Sequence, residues 1–161
     1  METTWETELA GLLGELLGVQ ESLLSVLARK HDLLAAGDTE GLVALGPEEE
    51  QLVARLQGCV SHREQLLAQA AAEGLPADSL RALAGSLPRA ERRQLEEPIA
   101  RAASQARLLR HRCLVHWVVV QRTLLHLSQM LEIIATGGRP QPTYSKSETQ
   151  NTNGVLVDRA A

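Results

Sequence analysis

Apolar residues near the start of the chain step by three and four: Leu9, Leu12, Leu16, Val19, Leu23, Val26 and Leu33, a series broken only at Lys30. That spacing places one apolar stripe on an α-helix of roughly 30 residues. Leu13, Leu17, Leu24, Leu27 and Leu34 widen the stripe, so the helix needs more than one packing neighbour. Thr3 with Glu6 has the spacing of a capping box, and Gly37 can take the left-handed position that stops the helix before Asp38 opens the next segment.

The second segment, "DTEGLVALG", reads as a short turn of helix that restarts at Gly46-Pro47, because proline suits a first helical position. Leu52, Leu56, Cys59, Leu66 and Ala70 then continue the three-four stepping, with Val53, Val60 and Leu67 alongside. "AEGLPADSL" closes that helix in a loop, and "DSLRALAGSLP" predicts a short helix ended by Pro88. Pro98 predicts either a short lead-in over Arg89 to Glu96 followed by a long helix, or one kinked helix.

The last long helix runs from about Ile99 to Ala135 and closes at Gly137-Gly138 with Pro140. Its predicted inward face is Ile99, Ala102, Ala106, Leu109, Cys113, Val120, Leu124, Leu127, Leu131 and Ile134. The expected fold is therefore all-α: an antiparallel, up-down-up bundle of three long helices plus short helices. Residues 1–136 form the expected bundle domain, and 137–161 an expected disordered or extended tail, polar and proline-containing, with too few apolar side chains to offset the entropy of ordering it.

Composition narrows the picture further. The 161 residues fit one domain, and a Leu- and Ala-rich chain without Phe argues against a β-sandwich or an α/β enzyme. The acidic start "METTWETELAGLL" lacks the basic region of a signal peptide, and no apolar run approaches the roughly 18 residues that span a bilayer, so a soluble, cytoplasmic protein without direct membrane insertion is expected. Cys59 and Cys113 are too few for a disulfide framework. Residues 1–50 hold eleven acids against Arg29 and Lys30, whereas 81–122 hold nine arginines against Glu91, Glu96 and Glu97. No nucleic-acid motif accompanies those arginines, so solvated or mutually facing charge is the expected reading, with no nucleic acid among the partners.

Three features are candidates for function. The stretch "CLVHWVVV", residues 113–120, is apolar on nearly every side of a helix. A core stripe accounts for Cys113, Trp117 and Val120, but Leu114, Val115, Val118 and Val119 point elsewhere, and such a stretch is either enclosed by several helices or left for a partner helix. The second feature is a pair of C-x-x-H units, Cys59 with His62 and Cys113 with His116, which two facing helices could offer to a tetrahedral zinc ion. Both cysteines also occupy apolar stepping positions, where a small buried thiol needs no metal, and the reading adopted is no metal and no cofactor. The third is catalysis. His31, His62, His111, His116 and His126 are scattered without a nucleophile and carboxylate in recognisable order, and phosphate-loop, nucleophile-elbow and H-E-x-x-H motifs are absent, so an enzyme is not expected.

The order of elements resembles the FlgN-type flagellar export chaperones: a leucine-rich first helix ending in "LLAAGDTEGLVAL", a charged "EEEQLVARL", a long last helix, then "PTYS" and a polar tail closing in "GVLVDRAA". The resemblance covers essentially the whole chain. It implies a cytoplasmic chaperone of flagellar type III export that binds the C-terminal amphipathic helices of hook-associated (hook-filament junction) subunits, prevents their premature polymerisation and delivers them to the export gate. On that resemblance the last helix becomes the substrate surface, through Val115, Val118, Val119, Arg122 and Leu125, which lie off the inward stripe, and Tyr144 becomes the contact to the export gate. Val155, Leu156 and Val157 offer a second small apolar point in the tail. Rival readings are a self-associating coiled-coil scaffold and a helical zinc protein using the C-x-x-H units. Homodimerisation of the substrate-free chain is left open.

Overall fold

The structure, a computed structural model, describes residues 4–137. Four α-helices follow one another: α1 (Trp5–Ala36), α2 (Thr39–Ala72), α3 (Leu80–Ser86) and α4 (Arg89–Thr136), with no strand among the described residues. These residues divide between two compact units, the boundary falling between Val120 and Gln121 within α4.

The first unit is the expected antiparallel bundle. Trp5 Nε1 donates to Glu73 Oε2 at 3.1 Å, joining the start of α1 to the end of α2, while Arg29 meets Glu48 at 2.8 Å near the other end. The two helices therefore run in opposite directions. Leu95 of α4 packs with Leu9 and Leu13 of α1, and Leu109 packs against Val19, Leu23 and Val26, so α4 runs parallel to α1. The apolar stripe of α1 is buried at Leu9, Leu12, Leu13, Val19, Leu23 and Val26. From α2 come Leu45, Leu52, Cys59 and Leu66, one residue every seven, the repeat that keeps a helical seam facing its partner. Each fully buried Leu or Val contributes about 1.5–3 kcal/mol relative to exposure.

The link between α1 and α2 is tight, and a left-handed glycine makes the turn. Gly37 sits at φ 69°, the left-handed conformation that ends α1, and its N–H and that of Asp38 bond back to the carbonyls of Leu34 and Leu33. At Gly41 a β-carbon would lie 2.6 Å from Asp38 Oδ2 and 2.7 Å from Leu33 Cδ2. The Asp38 carboxylate accepts the Gly41 N–H at 2.8 Å, the bond that caps α2. Ser79 caps α3 the same way, accepting from Ala82 N at 3.1 Å.

Several expectations need correction. The N-cap of α1 is Thr4, whose hydroxyl pairs with Thr7 Oγ1 at 2.9 Å instead of capping the backbone, and Thr3 lies outside the described residues. No restart occurs at Gly46-Pro47: α2 is continuous from Thr39 and carries Pro47 inside it. An internal proline costs about 3 kcal/mol. Leu45 and Leu52, buried on either side of it, offset that penalty. Of the two alternatives at Pro98 the single helix is found: Pro98 lies inside α4, between buried Leu95 and Ala102. Although no uninterrupted apolar run is present, α1 is long and apolar enough to cross a membrane by length and composition. Its leucine-rich side is instead a wall of the bundle core.

Candidate functional site

The predicted inward face of α4 is only partly inward. Ala102 is buried and Ile99, Leu109 and Val120 are half-buried, but Ala106 and Cys113 are exposed, and Trp117 is 60% exposed. In the second unit, the predicted core residues Leu124, Leu127, Leu131 and Ile134 are all exposed, as are Leu125, Met130 and Ile133. The three-four period was read correctly as a face. What it could not tell was whether a neighbour covers that face.

In the first unit the uncovered part of α4 forms one wall of a groove of about 590 Å³. Leu27 and Leu34 of α1, Leu42 and Val43 of α2, and Trp117 and Val120 of α4 give it an apolar lining. The tight Gly37–Gly41 link brings the first turn of α2 back beside the last turns of α1, and so places Leu34 and Leu42 on the same depression. The polar part is Lys30, Glu49 and His116. Lys30 Nζ is 2.7 Å from Glu49 Oε2, so the lysine that interrupts the α1 stripe reaches a carboxylate instead of lying unpaired. A smaller depression lies beside it, where Leu24, His31, Asp32, Arg112 and Val115 join Leu27 and His116.

His116 is common to both depressions. Its Nδ1 is buried and has no hydrogen-bond partner. Burial, reinforced by the charge of Lys30 and by His31 and opposed by Glu49, holds the imidazole below its ordinary value of 6.5. At neutral pH the imidazole beside the groove is therefore uncharged.

Of the residues assigned to substrate on the family resemblance, Val115 is 41% and Val118 38% exposed, Val119 is half-buried, and in the second unit Arg122 is exposed and Leu125 is 63% exposed. Val115 lines the smaller depression. Tyr144, Val155, Leu156 and Val157 lie outside the described residues. The site residues that sequence reasoning did not single out are Leu34, Leu42, Val43, Lys30 and Glu49, which belong to the end of α1 and the start of α2. One signal for them was available: Lys30 and Glu49 are charged positions inside otherwise apolar stepping.

The paired C-x-x-H units are not brought into one site. Cys59 packs with Leu12 and Leu66 in the core, whereas Cys113 lines the groove. Among the described residues, no group of three or more His, Cys, Asp or Glu side chains is placed to hold a metal ion. His62, His111 and His126 are exposed.

An apolar groove on an α-helical bundle, with uncovered aliphatic residues on α4, is surface left without a neighbour in this chain. Comparison with curated proteins and with solved structures finds no match. Comparison with protein families finds one, described as FlgN protein, matched over residues 1–152. The chain belongs to the FlgN family, whose members are flagellar export chaperones that bind flagellar substrate proteins and are not enzymes.

Proposed function

We propose that this chain is the cytoplasmic escort of the hook-associated subunits, holding their C-terminal amphipathic helices on α4 until export. The observation that carries the proposal is the uncovered aliphatic surface of α4: Leu114, Val115 and Val118 are exposed in a protein whose family binds flagellar substrates. Full burial of such a side chain is worth about 1.5–3 kcal/mol, and these three, 38–60% exposed, gain the corresponding fraction when a partner covers them. A subunit helix whose apolar stripe is needed for polymerisation is kept from its neighbours while that stripe is covered here. Val115, Val118 and Val119, with Arg122 and Leu125 further along the same helix, are the proposed contacts.

The proposed second step is delivery to the export gate through Tyr144. A single aromatic on a polar segment is an anchor that needs little ordering beyond its own ring. The two steps separate by mutation. Val115→Glu with Val118→Glu is expected to reduce capture of the purified junction subunits at least about tenfold, since two buried carboxylates oppose binding, with an unchanged melting curve. Unchanged capture rejects this face. Tyr144→Ala is expected to preserve capture and abolish export, and normal export by that variant rejects the docking role.

A second reading, self-association as a coiled coil, is favoured by one observation. Leu124, Leu127, Leu131 and Ile134 are exposed at alternating spacings of three and four, the pattern of a two-stranded seam. Sedimentation equilibrium of the partner-free protein separates the two: a concentration-independent dimer that fails to bind junction subunits supports the scaffold.

A further inference from the structure

The seam by which α4 meets α1 in the first unit repeats every seven residues, at Leu95, Ala102, Leu109 and His116. Burial fades along it. Leu95 and Ala102 are buried, in one cluster with Leu9 and Leu13 of α1, Ala70 of α2 and Leu83 of α3. Leu109 and His116 are half-buried, and no residue from Ala103 to Val120 is buried.

The same seam turns polar where burial fades. Gln20 lies two turns beyond Leu13 on one side of α1, and Gln105 lies one turn before Leu109, which packs against Val19, Leu23 and Val26. The parallel run of the two helices therefore sets both amides at one level. The Oε1 atoms of Gln20 and Gln105 and, three turns further on, Nδ1 of His116 are buried without a hydrogen-bond partner. A buried polar atom left unpaired regains its hydrogen bond when water reaches it. Three such atoms favour separation of the seam, and its aliphatic contacts beyond Ala102 oppose separation only through half-buried side chains. Meanwhile α1 and α2 keep contacts of their own: Val19, Leu23 and Val26 pack with Leu52, Leu12 packs with Cys59 and Leu66, and Lys30 reaches Glu49 at 2.7 Å.

We propose that α4 is a latch: from Gln105 to Val120 it releases α1 and α2 as a unit, while Arg89 to Ala102 stays docked and the α1–α2 hairpin stays closed. A segment with few buried apolar contacts opens below the free energy of global unfolding. Release uncovers the side of α1 that carries Leu24 and Leu27, so the open form offers more apolar surface than the closed one.

The test reads thiol labelling in the full chain. Gln20→Cys puts a thiol on the side of α1 that α4 covers, at a position 3% exposed, and it removes one unpaired amide, which works against release. Native Cys59, in the core between α1 and α2, reports global opening. Iodoacetamide labelling is followed site by site by peptide mass, each rate being divided by that of the urea-unfolded chain. The thiol at position 20 is expected to react about a hundredfold faster than Cys59 on this scale. Gln105→Leu, which removes a second unpaired amide, is expected to slow it about tenfold. Leu95→Val weakens a contact that the closed and released forms share, so it is expected to speed Cys59 about fivefold and leave position 20 unchanged. Equal scaled rates at the two thiols, or the same acceleration of both by Leu95→Val, mean that α4 leaves only when the whole chain unfolds, and overturn the proposal. An unchanged rate at position 20 on Gln105→Leu overturns the polar seam as the cause of release.

Discussion

Lys30 Nζ stands 2.7 Å from Glu49 Oε2 at the polar edge of the groove, and the two side chains are only 20% and 32% exposed. A neighbouring pair on the same two helices, Arg29 with Glu48, has a similar separation, 2.8 Å, but is about half exposed. Solvent screens the outer pair more than the inner one, so the two should contribute differently. Glu49→Gln leaves a lysine partly buried without its counter-charge, and is expected to lower unfolding stability by about 1–2 kcal/mol. Arg29→Ala should change it by less than about 0.5 kcal/mol. Urea denaturation of the two variants checks the contrast.

His116 makes the groove sensitive to acid. Its folded-state pKa lies below the ordinary 6.5, first through burial and then through Lys30 and His31, against the pull of Glu49. Between the folded and unfolded values the unfolded chain holds a proton that the folded chain does not, so stability rises with pH across that window and falls as the solution is acidified through it. His116→Asn removes the titrating group and is expected to flatten the stability profile below about pH 6.5. A profile that keeps its full slope in that variant assigns the acid sensitivity to another group.

Gln20 is the one buried polar side chain of α1, and its Oε1 has no hydrogen-bond partner. An unsatisfied buried amide costs about 1–3 kcal/mol, and Leu has nearly the same volume. Gln20→Leu is therefore expected to raise the denaturation midpoint, by about 1 kcal/mol of stability. A lower midpoint would mean that the amide has a packing role the leucine cannot fill.

Much of this architecture was legible in the chain, and the parts that were not share a cause. The leucine series in α1, Gly37 as its stop, the short α3 and the long α4 all follow from local chemistry: helical periodicity, a left-handed glycine, a serine cap. Pro47 was misleading because a proline's local penalty is fixed, whereas Leu45 and Leu52 repay it only through contacts distant in sequence. The exposure of Trp117 was illegible for the same reason. Periodicity groups residues on a face, but coverage depends on which neighbour reaches it. The run "CLVHWVVV" lies on the stretch of α4 that walls the groove, while Leu34, Leu42 and Val43 are brought beside it by the α1–α2 turn.

The two cysteines report on core and groove separately. Cys59 is buried beside Leu12 and Leu66, and burial, with Glu15 adding and Arg55 opposing, pushes its thiol up. Cys113 is exposed and lines the groove. Thiolate formation and access together set the rate of alkylation, so iodoacetamide is expected to label Cys113 in the native protein, while Cys59 reacts only as the core opens. A junction-subunit helix present at ten times its dissociation constant should slow Cys113 about tenfold, because only the free protein reacts. Cys59 should be slowed as well, and by no more than the added stability of the complex predicts. Val118→Glu is expected to abolish the protection of Cys113 without altering the rate at Cys59 in the free protein. Should Cys113 stay fully reactive in a saturated complex, the helix does not occupy the groove, and the contact must lie elsewhere on the bundle.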